Sequence, residues 1–79
     1  MATLPADEDY AKSVLSIFHA NQIRPGETLR AGQVKIEFLT RNMGRQPDYE
    51  AGLDYAIDRH WLRLDLNMIR LTDSGFAEQ

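Results

Sequence analysis

The last third of the chain abandons the helical period, and that change constrains the fold more than any other feature. In "LRLDLNMIRLTDSGF", residues 62–76, Leu62, Leu64 and Leu66 alternate with Arg63 and Asp65, and Ile69 to Thr72 repeats the extended pattern. Alternation of this kind marks a half-buried strand. Two such runs so close together need a turn at Asp65 to Met68, so the spacing predicts a hairpin over about 62–72. A lone hairpin is marginal in water and must pack on something. Leu62, Leu64, Ile69 and Leu71 are then the side chains that close one end of a helical core.

The preceding residues supply the helices. The first is predicted over about 5–19, with Pro5 in the first turn and Asp7, Glu8 and Asp9 at the positive end of the dipole. Tyr10, Val14, Ile17 and Phe18 share one face, with Leu15 beside them; Asn21 reads as a left-handed cap and Pro25-Gly26 as a turn. "QVKIEFLT", residues 33–40, is ambiguous, because Val34, Ile36 and Phe38 alternate as in a strand. Val34 and Phe38, and Leu39 and Met43, also sit four apart, and Glu37 precedes Arg41 by four. The helical reading, over about 30–43, is preferred, with Thr28 as N-cap and Gly44 as the stop. A short extended piece around 27–29 is available to pair with the hairpin. The third helix is predicted over about 47–61, opened by Pro47, with Tyr49, Leu53, Ala56, Ile57 and His60 on one side and Trp61 bordering it. Gly52 within it costs about 1 kcal/mol relative to Ala. A close helix crossing and a late helix start would each explain it.

The 79 residues make one domain, 1–79, and a chain of this size buries only about 60% of its unfolded surface. The absence of cysteine excludes disulfides and thiolate metal sites and fits a reducing, cytoplasmic compartment. "MATLPADEDY" is acidic and lacks an apolar core, so it does not read as a signal peptide. No apolar run approaches the roughly 20 residues that span a bilayer. There is no glycine-rich phosphate loop and no Gly-x-Ser-x-Gly, and His19 and His60 have no partners at metal-ligand spacing. His19 reads as a cation near a helix end and His60 as semi-buried. The expectation is a non-enzyme with no cofactor and no metal. The net charge of −3 is unevenly spread: residues 22–46 hold five bases against two acids, and residues 47–79 hold seven acids against three bases.

The order helix, short extended stretch, helix, turn, helix, hairpin resembles the winged helix-turn-helix family. The closing "WLRLDLNMIRLTDSGF" is similar to that family's last element. Trp61-Leu62 leaves the third helix, and Leu71-Thr72-Asp73-Ser74-Gly75 ends the second wing strand. The resemblance covers nearly the whole chain. It implies a mainly α fold with a small β-hairpin, a three-helix winged helix-turn-helix domain. Thr72 would cap the turn or short helix that follows, and Gly75 would allow a tight bend. The function implied is that of a small DNA-binding protein, a transcriptional regulator, dimerising to read two half-sites. Carried over, Tyr49, Tyr55 and Arg59 lie near bases of double-stranded DNA, and Lys35, Arg41 and Arg45 lie on phosphates.

The residues themselves also support a second expectation. The basic middle reads equally well as a solvated helix surface, partly paired through Glu37 and Arg41, and Tyr55 and Arg59 as ordinary surface residues. Glu50, Asp54 and Asp58, four apart, form an acidic ladder. Like charges at this spacing weaken a helix by about 0.2–0.5 kcal/mol per pair and repel phosphate. The hairpin tip lacks any base, and Leu66 and Met68 are unusual residues for a tip facing water. They fold back onto the core or contact another chain. Glu50, Asp54, Asp58, Leu66 and Met68 would then be the contact residues of a winged-helix protein–protein interaction module without DNA binding.

Overall fold

A computed structural model of the chain describes residues 6–41 and 45–79. The elements run α1 (Asp7–Ala20), β1 (Thr28–Arg30), α2 (Ala31–Arg41), α3 (Gln46–Asp58), β2 (Leu62–Asp65), β3 (Met68–Leu71) and α4 (Asp73–Ala77). The fold is mainly helical with one three-stranded antiparallel sheet, ordered β1-β3-β2, a layout compatible with the winged-helix arrangement.

Both long helices start on half of a capping box. Ala6 and Arg45 offer no capping oxygen, but an aspartate three residues on reaches back. Asp9 Oδ2 accepts from the Ala6 amide at 2.9 Å, and Asp48 Oδ2 from the Arg45 amide at 3.2 Å. Both helices also end on a Schellman motif without glycine. In α1 the Gln22 amide donates to His19 O (3.0 Å) and the Ile23 amide to Phe18 O (3.0 Å), with Gln22 left-handed at φ 58. Asn21, the expected left-handed cap, has φ −90 and sits one residue too early. In α3 the His60 amide donates to Ile57 O (3.0 Å) and the Trp61 amide to Ala56 O (2.8 Å), with His60 at φ 63. This ends the helix at Asp58 rather than Trp61. It leaves His60 exposed, not semi-buried, and turns Trp61 into the core.

The ambiguous segment is helical. Val34 and Phe38, four apart, are fully buried, while Ile36 is 65% exposed, as no strand alternation would allow. Thr28 is not the N-cap of α2, because it belongs to β1, which passes straight into the helix. Its first amide is satisfied instead by the hairpin tip, where Ala31 N–H donates to Asn67 O at 2.8 Å. The expected stop at Gly44 lies outside the described residues, as does the Leu39–Met43 pairing.

The core joins α1, α2, α3 and the inner sheet face through Val14, Leu15, Ile17, Phe18, Leu29, Val34, Phe38, Tyr49, Ala56, Leu62, Ile69 and Leu71. Gly52 is explained by a close crossing: a Cβ there would lie 2.7 Å from Tyr10 C and 2.8 Å from Tyr10 O. β2 and β3 pair Leu62 with Leu71, Arg63 with Arg70, Leu64 with Ile69 and Asp65 with Met68, leaving the two-residue loop Leu66-Asn67. β1 adds Thr28 opposite Arg70, Leu29 opposite Ile69 and Arg30 opposite Met68. Thr72 caps α4 by accepting from Gly75 N–H at 3.0 Å, and its hydroxyl lies 2.5 and 2.8 Å from His60 O and Trp61 O. Gly75 serves space rather than a bend, since a Cβ there would collide with the Trp61 carbonyl oxygen.

Candidate interaction surface

The two faces of α3 differ in chemistry. Its inner side buries Tyr49, Gly52 and Ala56 against α1 and α2. Its outer side carries Glu50, Asp54 and Asp58, all exposed, with no hydrogen bond or ion pair to any described residue. At about 1.5 Å rise per residue they span about 12 Å along one ridge. From Gln46 to Asp58 the helix contains no lysine or arginine, and Asp48 is already paired with Arg45 at 3.5 Å.

Of the aromatic residues expected near bases, Tyr49 is committed to the interior and Tyr55 only in part. Tyr49 is only 5% exposed, its ring 5.8 Å from Phe38, and its hydroxyl donates to Ala31 O at 3.3 Å. Burial, and behind it the Glu50 carboxylate, pushes the Tyr49 hydroxyl above its ordinary pKa. Tyr55 is half-buried rather than on the exposed side. It donates to Glu8 Oε1 at 3.1 Å and packs edge-on to Trp61 at 5.7 Å. Arg59, exposed at the helix end, lies over the Tyr55 ring at 5.1 Å.

Two of the three expected phosphate contacts have described side chains. Lys35 is half-buried on α2, and Arg45 is exposed but tied to Asp48. The side chain of Arg41 lies outside the described residues, so the Glu37–Arg41 pair does too. Glu37 is engaged elsewhere. Its carboxylate accepts from Asn21 Nδ2 at 3.2 Å and from Gln33 Nε2 at 3.0 Å, clamping the end of α1 to α2.

Two surfaces were not anticipated. The register places Arg30, Arg63 and Arg70 together on the outer sheet face. Arg63 and Arg70 are directly opposite, an unfavourable pair relieved where Arg70 bonds Asp65 (3.2 Å) and Gly26 O (2.6 Å). The second is a groove of about 670 Å³ between α2 and the hairpin tip. Its lining includes Gly32, Ile36, Asn67 and Met68, with Arg30 and Glu37. Leu66, next to it, is 95% exposed, while Met68 is half-buried. The signals were present in the sequence: Arg63 and Arg70 are equidistant from the turn, and Ile36 is the apolar residue that falls off the Val34–Phe38 face.

Among the described residues, no helix is long and apolar enough to cross a membrane, and no group of three or more His, Cys, Asp or Glu side chains is placed to hold a metal ion. Comparisons with protein-family models, with curated proteins and with solved structures find no match for this chain.

Proposed function

We propose that the chain is a winged-helix protein-interaction module whose α3 ridge docks a basic segment of a partner protein. The element order and the hairpin closing the sheet support the winged-helix reading. One observation carries the partner chemistry. The outward ridge of α3, the surface a helix-turn-helix protein lays in the major groove, consists of Glu50, Asp54 and Asp58. Three unpaired carboxylates there oppose phosphate and attract lysine and arginine. The second reading, a DNA-binding regulator, is supported by a different observation, the Arg30, Arg63 and Arg70 cluster on the outer sheet face. It would rest on phosphate contacts from that face and from Arg45, not on bases read by Tyr49 or Tyr55.

The test is a fluorescence-anisotropy titration of the protein into a lysine-rich helical peptide and, separately, a random duplex, each at low and moderate salt. The interaction reading expects saturable peptide binding that weakens with salt, and no duplex binding at high micromolar protein. Duplex binding with a steep salt slope, and no peptide binding, would replace it with the DNA reading.

A further inference from the structure

We propose that the hairpin tip and the adjoining α2 groove form one self-complementary patch through which two copies of this chain associate about a two-fold axis. Leu66 of each copy sits in the groove of the other. This surface is separate from the α3 ridge, and the proposal stands whichever partner that ridge takes.

The first support is the residue at the tip. Leu66 is 95% exposed and has φ 55, a left-handed backbone that Gly or Asn adopts readily and leucine resists. Within the monomer this side chain gains no burial and strains its turn. A contact outside the monomer is what gives leucine an advantage at this position.

The second support is that a receptor for it lies alongside. Asn67 and Met68, the next residues in the chain, line the groove, and Leu66 does not fill it. Across the groove Ile36 is 65% exposed, and apart from the neighbouring residues and backbone of its own helix nothing lies within 4 Å of the position a Gly32 Cβ would take. A projecting side chain beside a matching recess on the same surface is the arrangement an isologous contact requires. The tip is also tied to the start of α2, because Asn67 O accepts from Ala31 N–H at 2.8 Å.

The third support is charge. The groove is lined by one base, Arg30, and one acid, Glu37. Under a two-fold, Arg30 of each copy faces Glu37 of the other, whose carboxylate keeps its charge while accepting from the neutral Asn21 and Gln33 amides; a patch of one sign would instead repel its copy. The apolar part is small, well short of the roughly 800 Å² per partner of a standard interface. The dimer is therefore weak and concentration-dependent.

Sedimentation velocity from about 10 µM to about 1 mM tests this in the range such a contact reaches. The sedimentation coefficient of the wild type is expected to rise towards the dimer value, and the association to be weakened but not abolished by high salt. Leu66→Gly removes the projecting side chain while suiting the backbone of the turn, so it keeps the fold; it should weaken association at least about tenfold. Arg30→Glu should weaken it, and Arg30→Glu with Glu37→Arg should recover it, a rescue that misfolding cannot imitate. If the double variant does not fold, Leu66→Gly decides alone. A wild type that stays monomeric throughout overturns the proposal. So does association unchanged by Leu66→Gly, including one that disappears at high salt and so belongs to the α3 ridge.

Discussion

Gly52 of α3 lies directly on the backbone of Tyr10 in α1, so close that a Cβ would stand 2.7 Å from the Tyr10 carbonyl carbon. Two effects compete in Gly52→Ala. Alanine gains about 1 kcal/mol of helix propensity. Overpacking against an atom that cannot rotate away costs about 1–3 kcal/mol. Because the neighbour is backbone, overpacking should win, with a net loss of up to about 2 kcal/mol. Gly32→Ala, with nothing within 4 Å, should instead be neutral or gain up to about 1 kcal/mol. Urea midpoints of the two variants check the pair. A stabilised Gly52→Ala would mean the helices do not cross this closely.

Leu66→Gly tests the strain at the hairpin tip on the monomer. A left-handed non-glycine residue costs about 1–2 kcal/mol, while glycine adds about 0.4–1 kcal/mol of unfolded-state freedom. With almost no burial to lose, the variant should be neutral or up to about 1 kcal/mol more stable. Thermal unfolding at low protein concentration measures it. A loss beyond about 1 kcal/mol would show that Leu66 packs on its own chain.

Thr72 ties three elements at one point, capping α4 and meeting the carbonyls that leave α3. Thr72→Ala should destabilise by about 1–2 kcal/mol, and Thr72→Ser should restore most of it, because the hydroxyl carries the effect. Equal losses in the two variants, read by chemical denaturation, would assign the role to the methyl group.

The raised Tyr49 hydroxyl gives a pH dependence with a definite sign. Burial favours the neutral form in the folded state, so the unfolded chain loses this proton first, near its ordinary value of 10.0. The stabilisation is complete below that pH and declines as pH rises from there through the higher folded value. Tyr49→Phe should be somewhat less stable at neutral pH, having lost a long hydrogen bond. It should also lose less stability than the wild type on going to alkaline pH. Melting curves across that range report the difference, and parallel curves would contradict it.

Much of this fold is legible in the residues because local signals and burial agree. Val34 and Phe38, four apart, identify α2 despite the alternation around Ile36, and the Leu62–Leu71 pattern identifies the hairpin. The helix ends are not legible, because the left-handed positions fall to Gln22 and His60, residues with no glycine-like preference, chosen by where Ile23 and Trp61 must pack. The inward face of Tyr49 follows from its spacing with Leu53, Ala56 and Ile57, whereas the half-burial of Tyr55 does not. Their helical spacing is visible, but the depth of each depends on Phe38, Glu8 and Trp61, which come from distant parts of the chain. The acidic ridge was legible outright, since exposure was all that Glu50, Asp54 and Asp58 required.

Neutralising the α3 ridge separates a basic protein partner from DNA. Asp54→Asn with Asp58→Asn leaves size and exposure almost unchanged and removes two charges that repel each other, so the fold should be kept. Binding of a lysine-rich peptide and of random duplex DNA, measured on the wild type and this variant at the same low salt, separates the readings. For a ridge that docks a basic segment, peptide affinity should fall several-fold, chiefly through a slower on-rate, and the duplex should remain unbound. Duplex affinity that rises on neutralisation, with the peptide indifferent, would contradict this reading and place α3 against phosphate.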